Sequence, residues 1–200
     1  MKSSNFAAVK SSTLAPEHMN TLSIIDKYYP IGGEQRILLL RHSWQVAGMA
    51  LRCAAAHPEL HLDRALLLRG ALLHDIGIFA THAPSIHCHG ELPYLMHGFV
   101  GAQLLRALGL EAEARICERH TGTGLTRHTV VEHGLNVEPI DYLPETTEEK
   151  LVCYADKFYS KSRPAEELTF EQAHASLLRF GTEGAARFAE WHRLFGVAKQ

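Results

Sequence analysis

A chain of 200 residues, 46% hydrophobic and 21% charged, is long enough to bury a full core within one domain. A net charge of −2 and a pI of about 6.7 speak against a broad nucleic-acid-binding surface, and no run approaches the ~18 apolar residues of a membrane span. Cys53, Cys88, Cys117 and Cys153 are scattered with no C-x-x-C pair, which predicts free buried thiols instead of a disulfide framework. Residues 1–14 lack the apolar core of a signal peptide, so the cytoplasm is the expected compartment and the Ser-rich start an expected tail.

In chain order, residues 16–29 predict a first helix, with Leu22, Ile25 and Tyr29 at helical spacing and a stop at Pro30 and Gly32-Gly33. A long helix follows over 34–56. Leu38, His42, Gln45, Met49 and Cys53 share one of its faces, and His57-Pro58 ends it. Asp63 caps a third, strongly apolar helix that runs to the adjacent His74 and Asp75 and stops near Gly77. Residues 79–93 hold His82, His87 and His89 with two prolines and one glycine, which predicts a loop at the mouth of a site.

The next helix is expected over 94–108, with a small face of Gly98, Gly101 and Ala102 for close packing. A shorter one covers 111–120 and ends at Thr121-Gly-Thr-Gly124. That stretch lacks the lysine of a phosphate-cradling loop and follows a helix, so it reads as a helix stop. Residues 125–144 are irregular, with a short helix over 127–133. Pro144-Glu-Thr-Thr-Glu-Glu149 starts another, its acidic residues at the positive end, with Leu151, Val152, Ala155, Asp156 and Tyr159 on one stripe. Thr169 caps a last helical region to 195, broken around Gly181 and Gly184. With no strand signal longer than four residues and no repeat, the expected fold class is all-α: a tail over 1–14 and one helical domain over 15–200.

Adjacent His74 and Asp75 in so apolar a segment require a reason. A buried carboxylate costs several kcal/mol unless it is paired or bound to metal. His42, His97, His120 and Asp156 also fall on apolar helix faces. One such histidine is usually a hydrogen-bonded core residue; several helices each presenting a ligand-type side chain inward point to a metal centre. Fourteen histidines in the chain agree with that. A mixed nitrogen and oxygen set suits transition metals, Fe or Mn first and Ni, Co or Zn after them, better than Ca, with Mg a further divalent candidate. Six ligands are too many for one catalytic ion, which must keep open positions, and they suit two. A carboxylate can bridge two ions and an imidazole cannot, so Asp75 or Asp156 must bridge.

The ordered set His42, His74-Asp75, His97, His120, Asp156 resembles the HD-domain metal-dependent phosphohydrolase superfamily, and His74-Asp-Ile-Gly77 its HDIG branch. The resemblance covers about residues 36–165. Glu118-Arg-His-Thr-Gly-Thr-Gly-Leu-Thr126, Asp141-Tyr-Leu-Pro-Glu-Thr146 and Tyr154-Ala-Asp-Lys157 look like an uncharacterised prokaryotic branch. The six-ligand pattern is also similar to bacterial di-iron diadenosine tetraphosphate hydrolases.

The resemblance implies that His42, His74, Asp75 and Asp156 hold one ion, and that Asp75 bridges to a second held by His97 and His120. It implies hydrolysis of a phosphate ester or anhydride of a nucleotide by a metal-bridging hydroxide, with Asp75 and His74 at the reacting centre. A loop histidine, His87 among them, would protonate the leaving oxygen. Many relatives carry Lys three residues after the Asp of the pair, where Ile78 stands here. Positive charge is then expected from His82, His87, His89, Lys157, Lys161 or Arg163. The partner is a small phosphorylated substrate, neither nucleic acid nor membrane, and a homodimer is open. The same ligand set also fits a di-iron oxygenase, or a metal- and nucleotide-binding regulatory module with little turnover.

Overall fold

The computed structural model describes residues 20–197; the expected tail and the first residues of the 16–29 helix lie outside this range. Among the described residues there are nine α-helices and two small two-stranded sheets, so the fold is an all-α bundle. α1 (Thr21–Asp26) starts where the Asn20 side chain accepts from the Leu22 amide. α2 (Glu34–Ala56) buries His42, Ser43, Val46, Met49, Ala50 and Cys53, and ends at His57 because Pro58 disfavours helical backbone before it. α3 (Arg64–Leu73) is capped by Asp63, which accepts from Ala65 and Leu66, and stops one residue short of the His-Asp pair.

A tight turn of helix over Ile76–Ala80 follows, then the hairpin of β1 (His82–Ala83) and β2 (Cys88–His89). α4 begins only at His97 (His97–Ala107), since Tyr94–Met96 form a separate tight turn after Pro93. α5 (Glu111–Arg119) packs on α4 across glycines. A β-carbon on Gly98 would meet the Cys117 carbonyl, and one on Gly101 would meet the Cys117 sulfur. α6 spans Arg127–Glu132.

α7 (Thr147–Asp156) begins three residues later than Pro144, because Thr146 and Glu149 form a reciprocal capping box that sets the start. β3 (Tyr159–Ser160) pairs with β4 (Arg163–Glu167), five residues long and so longer than the sequence signalled; Arg-Pro-Ala-Glu-Glu has no apolar alternation to announce it. α8 (Phe170–Leu178) and α9 (Thr182–Phe195) are separated at Gly181, whose φ of +128° suits glycine, while Gly184 lies inside α9.

Two large apolar clusters hold the bundle, with a smaller third of Phe99, Leu125, Val130, Leu135 and Tyr142. One joins Val46, Cys53, Leu67, Leu151, Tyr154, Phe188, Trp191 and Phe195. The other joins Ile24, Tyr29, Leu39, Leu73, Ile76, Ile78, Leu105 and Cys117. Each fully buried large side chain contributes about 1.5–3 kcal/mol. On α2, His42 stands between Leu39 of one cluster and Val46 of the other. His74 and Asp75 stand between Leu73 and Ile76. His42 thus sits where the two clusters meet, while His74 and Asp75 interrupt the second one. All four cysteines are free and buried, and among the described residues no helix is long and apolar enough to cross a membrane.

Candidate metal centre

Five helices and one turn deliver six side chains to one point. His42 comes from mid-α2, His74 from the end of α3, Asp75 from the turn after it, His97 from the start of α4, His120 from the end of α5 and Asp156 from the end of α7. All six are buried, His74 and Asp75 completely. Around one oxygen of Asp75, Oδ2, lie His42 Nε2 at 3.3 Å and His74 Nε2 at 3.1 Å. Asp156 Oδ1 joins them, 2.9 Å from His42 Nε2 and 3.5 Å from His74 Nε2. Around the other oxygen, Oδ1, lie His97 Nε2 at 3.3 Å and His120 Nε2 at 3.4 Å. Of the two carboxylates that could bridge, Asp75 is the one that faces both groups.

The hydrogen bonds fix the chemistry of the rings. His74 Nδ1 lies 2.7 Å from the Ala71 carbonyl, His97 Nδ1 2.6 Å from the Tyr94 carbonyl and His120 Nδ1 2.7 Å from the Cys117 carbonyl. A carbonyl only accepts, so each Nδ1 carries the proton; His97 and His120, which burial keeps neutral, present a lone pair at Nε2, and His74 does so once it gives up its second proton. The Nε2 atoms approach one another in pairs, His42 to His74 at 3.3 Å and His97 to His120 at 3.0 Å. They also face the Asp75 carboxylate, whose two oxygens are fully buried and whose nearest cation is the Lys161 ammonium, 2.6 Å from Oδ2. Converging lone pairs of nitrogen and oxygen fit divalent cations, and carbonyl-anchored imidazoles are the usual support for metal-ligating histidine.

The electrostatics follow the same plan. Burial lowers His42 to about 4, with Lys161 acting in the same direction. Burial and the neighbouring His120 lower His97 to about 3, and burial lowers His120. For His74, burial is outweighed by the Asp75 charge and by hydrogen bonds to Asp156 and Asp75, which raise it to about 9. Asp75 and Asp156 stay ionised despite burial, held far below the usual carboxylate range by His74 and Lys161 and by Lys157 and His42 respectively.

The other sequence candidates are spread more widely. Lys161, in the loop joining β3 to β4, reaches back to place its ammonium 2.6 Å from Asp75 Oδ2. Lys157 is spent on the frame: it pairs with Asp156 Oδ2 at 2.6 Å and donates to the His120 carbonyl at 3.0 Å. His87 is half-exposed, 3.1 Å from Glu34. His82 and His89 face one another across the β1–β2 hairpin and are exposed. Arg163 is exposed and lies 3.6 Å from Glu166. Ile78 is fully buried in an apolar cluster, so this chain has a dry side chain where many relatives carry lysine.

Some contributors escaped the sequence reading. Tyr94 stacks on His97, centroids 4.6 Å apart. The thiols of Cys117 and Cys153 donate to the carbonyls of His74 (2.9 Å) and His120 (3.3 Å). Arg41, Ser85 and Ser162 line a cleft together with Lys161 and His87. For Arg41 a signal existed: a residue next to an inward ligand is turned about 100° from it, onto the rim of the same site. None of the six lines this cleft, which meets the centre through Lys161, or a larger cavity of about 950 Å³ lined by Arg52, Tyr154, Phe170 and His192 among others, which has no such link.

The profile of the HD domain family matches residues 39–160. The chain belongs to the HD domain family. It is 37% identical over 131 residues to the uncharacterized protein MJ0778 of Methanocaldococcus jannaschii, covering 64% of this chain and 70% of that one. It is 39% identical over 127 residues to a protein of Picrophilus torridus named tRNA (cytidine(56)-2'-O)-methyltransferase; this match covers 63% of the chain and only 33% of that relative. Among solved structures, the HD domain of the L. monocytogenes phosphodiesterase PgpH shares the fold, with a TM-score of 0.50 and 18% identity over 85% of this chain and 93% of that one.

Proposed function

We propose that the protein is a metal-dependent phosphohydrolase that cleaves a phosphate ester or anhydride of a nucleotide. The observation that carries this reading is the division of Asp75, one oxygen toward His42 and His74 and the other toward His97 and His120. His42, His74, Asp75 and Asp156 would hold one divalent cation, and Asp75, His97 and His120 a second, with Fe or Mn best suited to the donors. Bound there, the ions would acidify water toward neutral pH and neutralise charge on phosphoryl oxygens.

The chain's own residues prepare the site. The carbonyls of Ala71, Tyr94 and Cys117 keep three rings in one tautomer and orientation. Lys157 pins Asp156. Lys161 brings a cation to Asp75, and so would offer a phosphoryl oxygen the contact that the missing lysine would make. His87, half-exposed and lining the cleft, would give a proton to a leaving oxygen.

The phosphodiesterase named among the structural neighbours points to the same bond class by analogy of fold. The methyltransferase name is not carried over, because the match spans a third of that relative. The test is metal analysis of purified protein, followed by a screen of nucleotides and generic phosphate esters with added Mn, Fe, Co, Ni or Mg. Hydrolysis that tracks metal content is expected. Protein with full metal that hydrolyses none of them, or that consumes O₂ with a substrate, would replace this reading with a binding module or an oxygenase.

A further inference from the structure

The cleft beside the metal centre, about 330 Å³, lies between the first turns of α2, the 84–87 turn and the loop joining β3 to β4. Its polar lining is Arg41, Ser85, His87, Lys161, Ser162 and Glu34. Lys161 defines the inner end, since its ammonium touches Asp75 Oδ2 at 2.6 Å. Glu34, the acid of the group, is engaged by His87 at 3.1 Å. Arg41 follows directly from the helix register: His42 points into the centre, and the preceding residue stands on the cleft wall. Among the described residues its guanidinium has no hydrogen bond or ion pair, unlike Arg36, Arg69, Arg106, Arg115 and Arg119, which are each paired with a carboxylate; Arg64, Arg127 and Arg193 are also unpaired, but of these arginines only Arg41 lines the cleft.

A free guanidinium at the wall, an ammonium at the inner end and two serine hydroxyls make a cleft for an anion longer than one phosphate. We propose that Arg41 is a specificity residue that binds a second phosphate group of the substrate, one bond beyond the phosphate held at the Lys161 end. The inference rests on the phosphohydrolase reading for the identity of the inner phosphate. It narrows the substrate class to compounds with two linked phosphates. A guanidinium suits this position because it meets two phosphoryl oxygens at once.

The experiment is titration calorimetry on metal-loaded protein with orthophosphate and with pyrophosphate, the latter as its magnesium salt so that it does not strip the site. Wild type should bind pyrophosphate more tightly than orthophosphate. Arg41→Gln should weaken pyrophosphate about tenfold or more while changing orthophosphate less than about twofold, and Arg41→Lys should restore part of the loss. Metal stoichiometry should be the same in all three proteins. Unchanged pyrophosphate binding in Arg41→Gln overturns the assignment. So does an equal loss for both anions, which would mark a general charge effect, or a wild type that binds neither. Because binding is read without turnover, Arg41-dependent pyrophosphate binding in a protein that hydrolyses nothing would keep the cleft and remove the phosphohydrolase reading. Hydrolysis with Arg41-independent binding would do the reverse.

Discussion

His97, at the start of α4, and His120, at the end of α5, bring their Nε2 atoms to 3.0 Å although 23 residues separate them in the chain. Each ring is anchored through Nδ1 to a carbonyl three residues earlier. Two lone pairs held face to face make a poor core contact and a good half of a metal site. His97→Ala or His120→Ala should therefore remove about one equivalent of metal and leave the other, with hydrolysis falling by more than the roughly 10–100-fold typical of outer-sphere losses. Mass-spectrometric stoichiometry with turnover checks this. Wild-type values in both variants would make the two rings ordinary core histidines and the site mononuclear.

Asp75 is shared, so its loss should cost both ions where the histidine variants cost one. Asp75→Asn keeps the volume and removes the charge. Metal content should drop to near zero and hydrolysis by at least about 100-fold, while far-ultraviolet helicity persists. Full activity in a metal-free Asp75→Asn protein would rule out the mechanism.

Gly77, the last residue of the His74-Asp-Ile-Gly run, is pressed against α4. A β-carbon there would collide with the His97 carbonyl and the Gly101 amide nitrogen. Gly77→Ala should destabilise the fold by about 1–3 kcal/mol and, by displacing His97, weaken one ion more than the other. Thermal melts and metal titration test both effects. An unchanged melting temperature would mean that α4 yields freely, against the close packing seen here.

Chelator-stripped protein should be acid-sensitive well above the carboxylate range. His42 at about 4, His97 at about 3 and the lowered His120 lie below the ~6.5 of an unfolded histidine. Their contribution to stability is therefore full above pH ~6.5 and is lost as pH falls through the folded values. His74, raised to about 9, works in reverse: its contribution is full below ~6.5 and is lost as pH rises through about 9. Melting temperature should thus decline on both sides of neutrality, and restoring metal should raise it at neutral pH. A flat profile between pH 7 and 4 would contradict neutral buried rings.

Much of this was legible in residue order, because helix periodicity is a local property. A 3.6-residue repeat puts His42 on the face of α2 that carries Met49 and Cys53, and the same repeat turns Asp156 inward beside Leu151 and Val152. The capping role of Asp63 and the run into His74-Asp75 are likewise contained in a dozen neighbouring residues. Local spacing says which face a side chain takes, but it does not say what it meets. That Asp75 turns one oxygen to each histidine pair depends on α4 and α5 closing over the Ile76–Ala80 turn, which small residues at 77, 98 and 101 allow. That Lys161, and not a residue at 78, brings charge to Asp75 depends on a hairpin with no hydrophobic alternation folding back across 86 residues of chain. Arg41 differs from other exposed arginines only because that hairpin and the 84–87 turn form the far side of its cleft. Those contacts are set by packing between distant segments, where one element's shape fixes the position of another, and no short stretch of the chain encodes it.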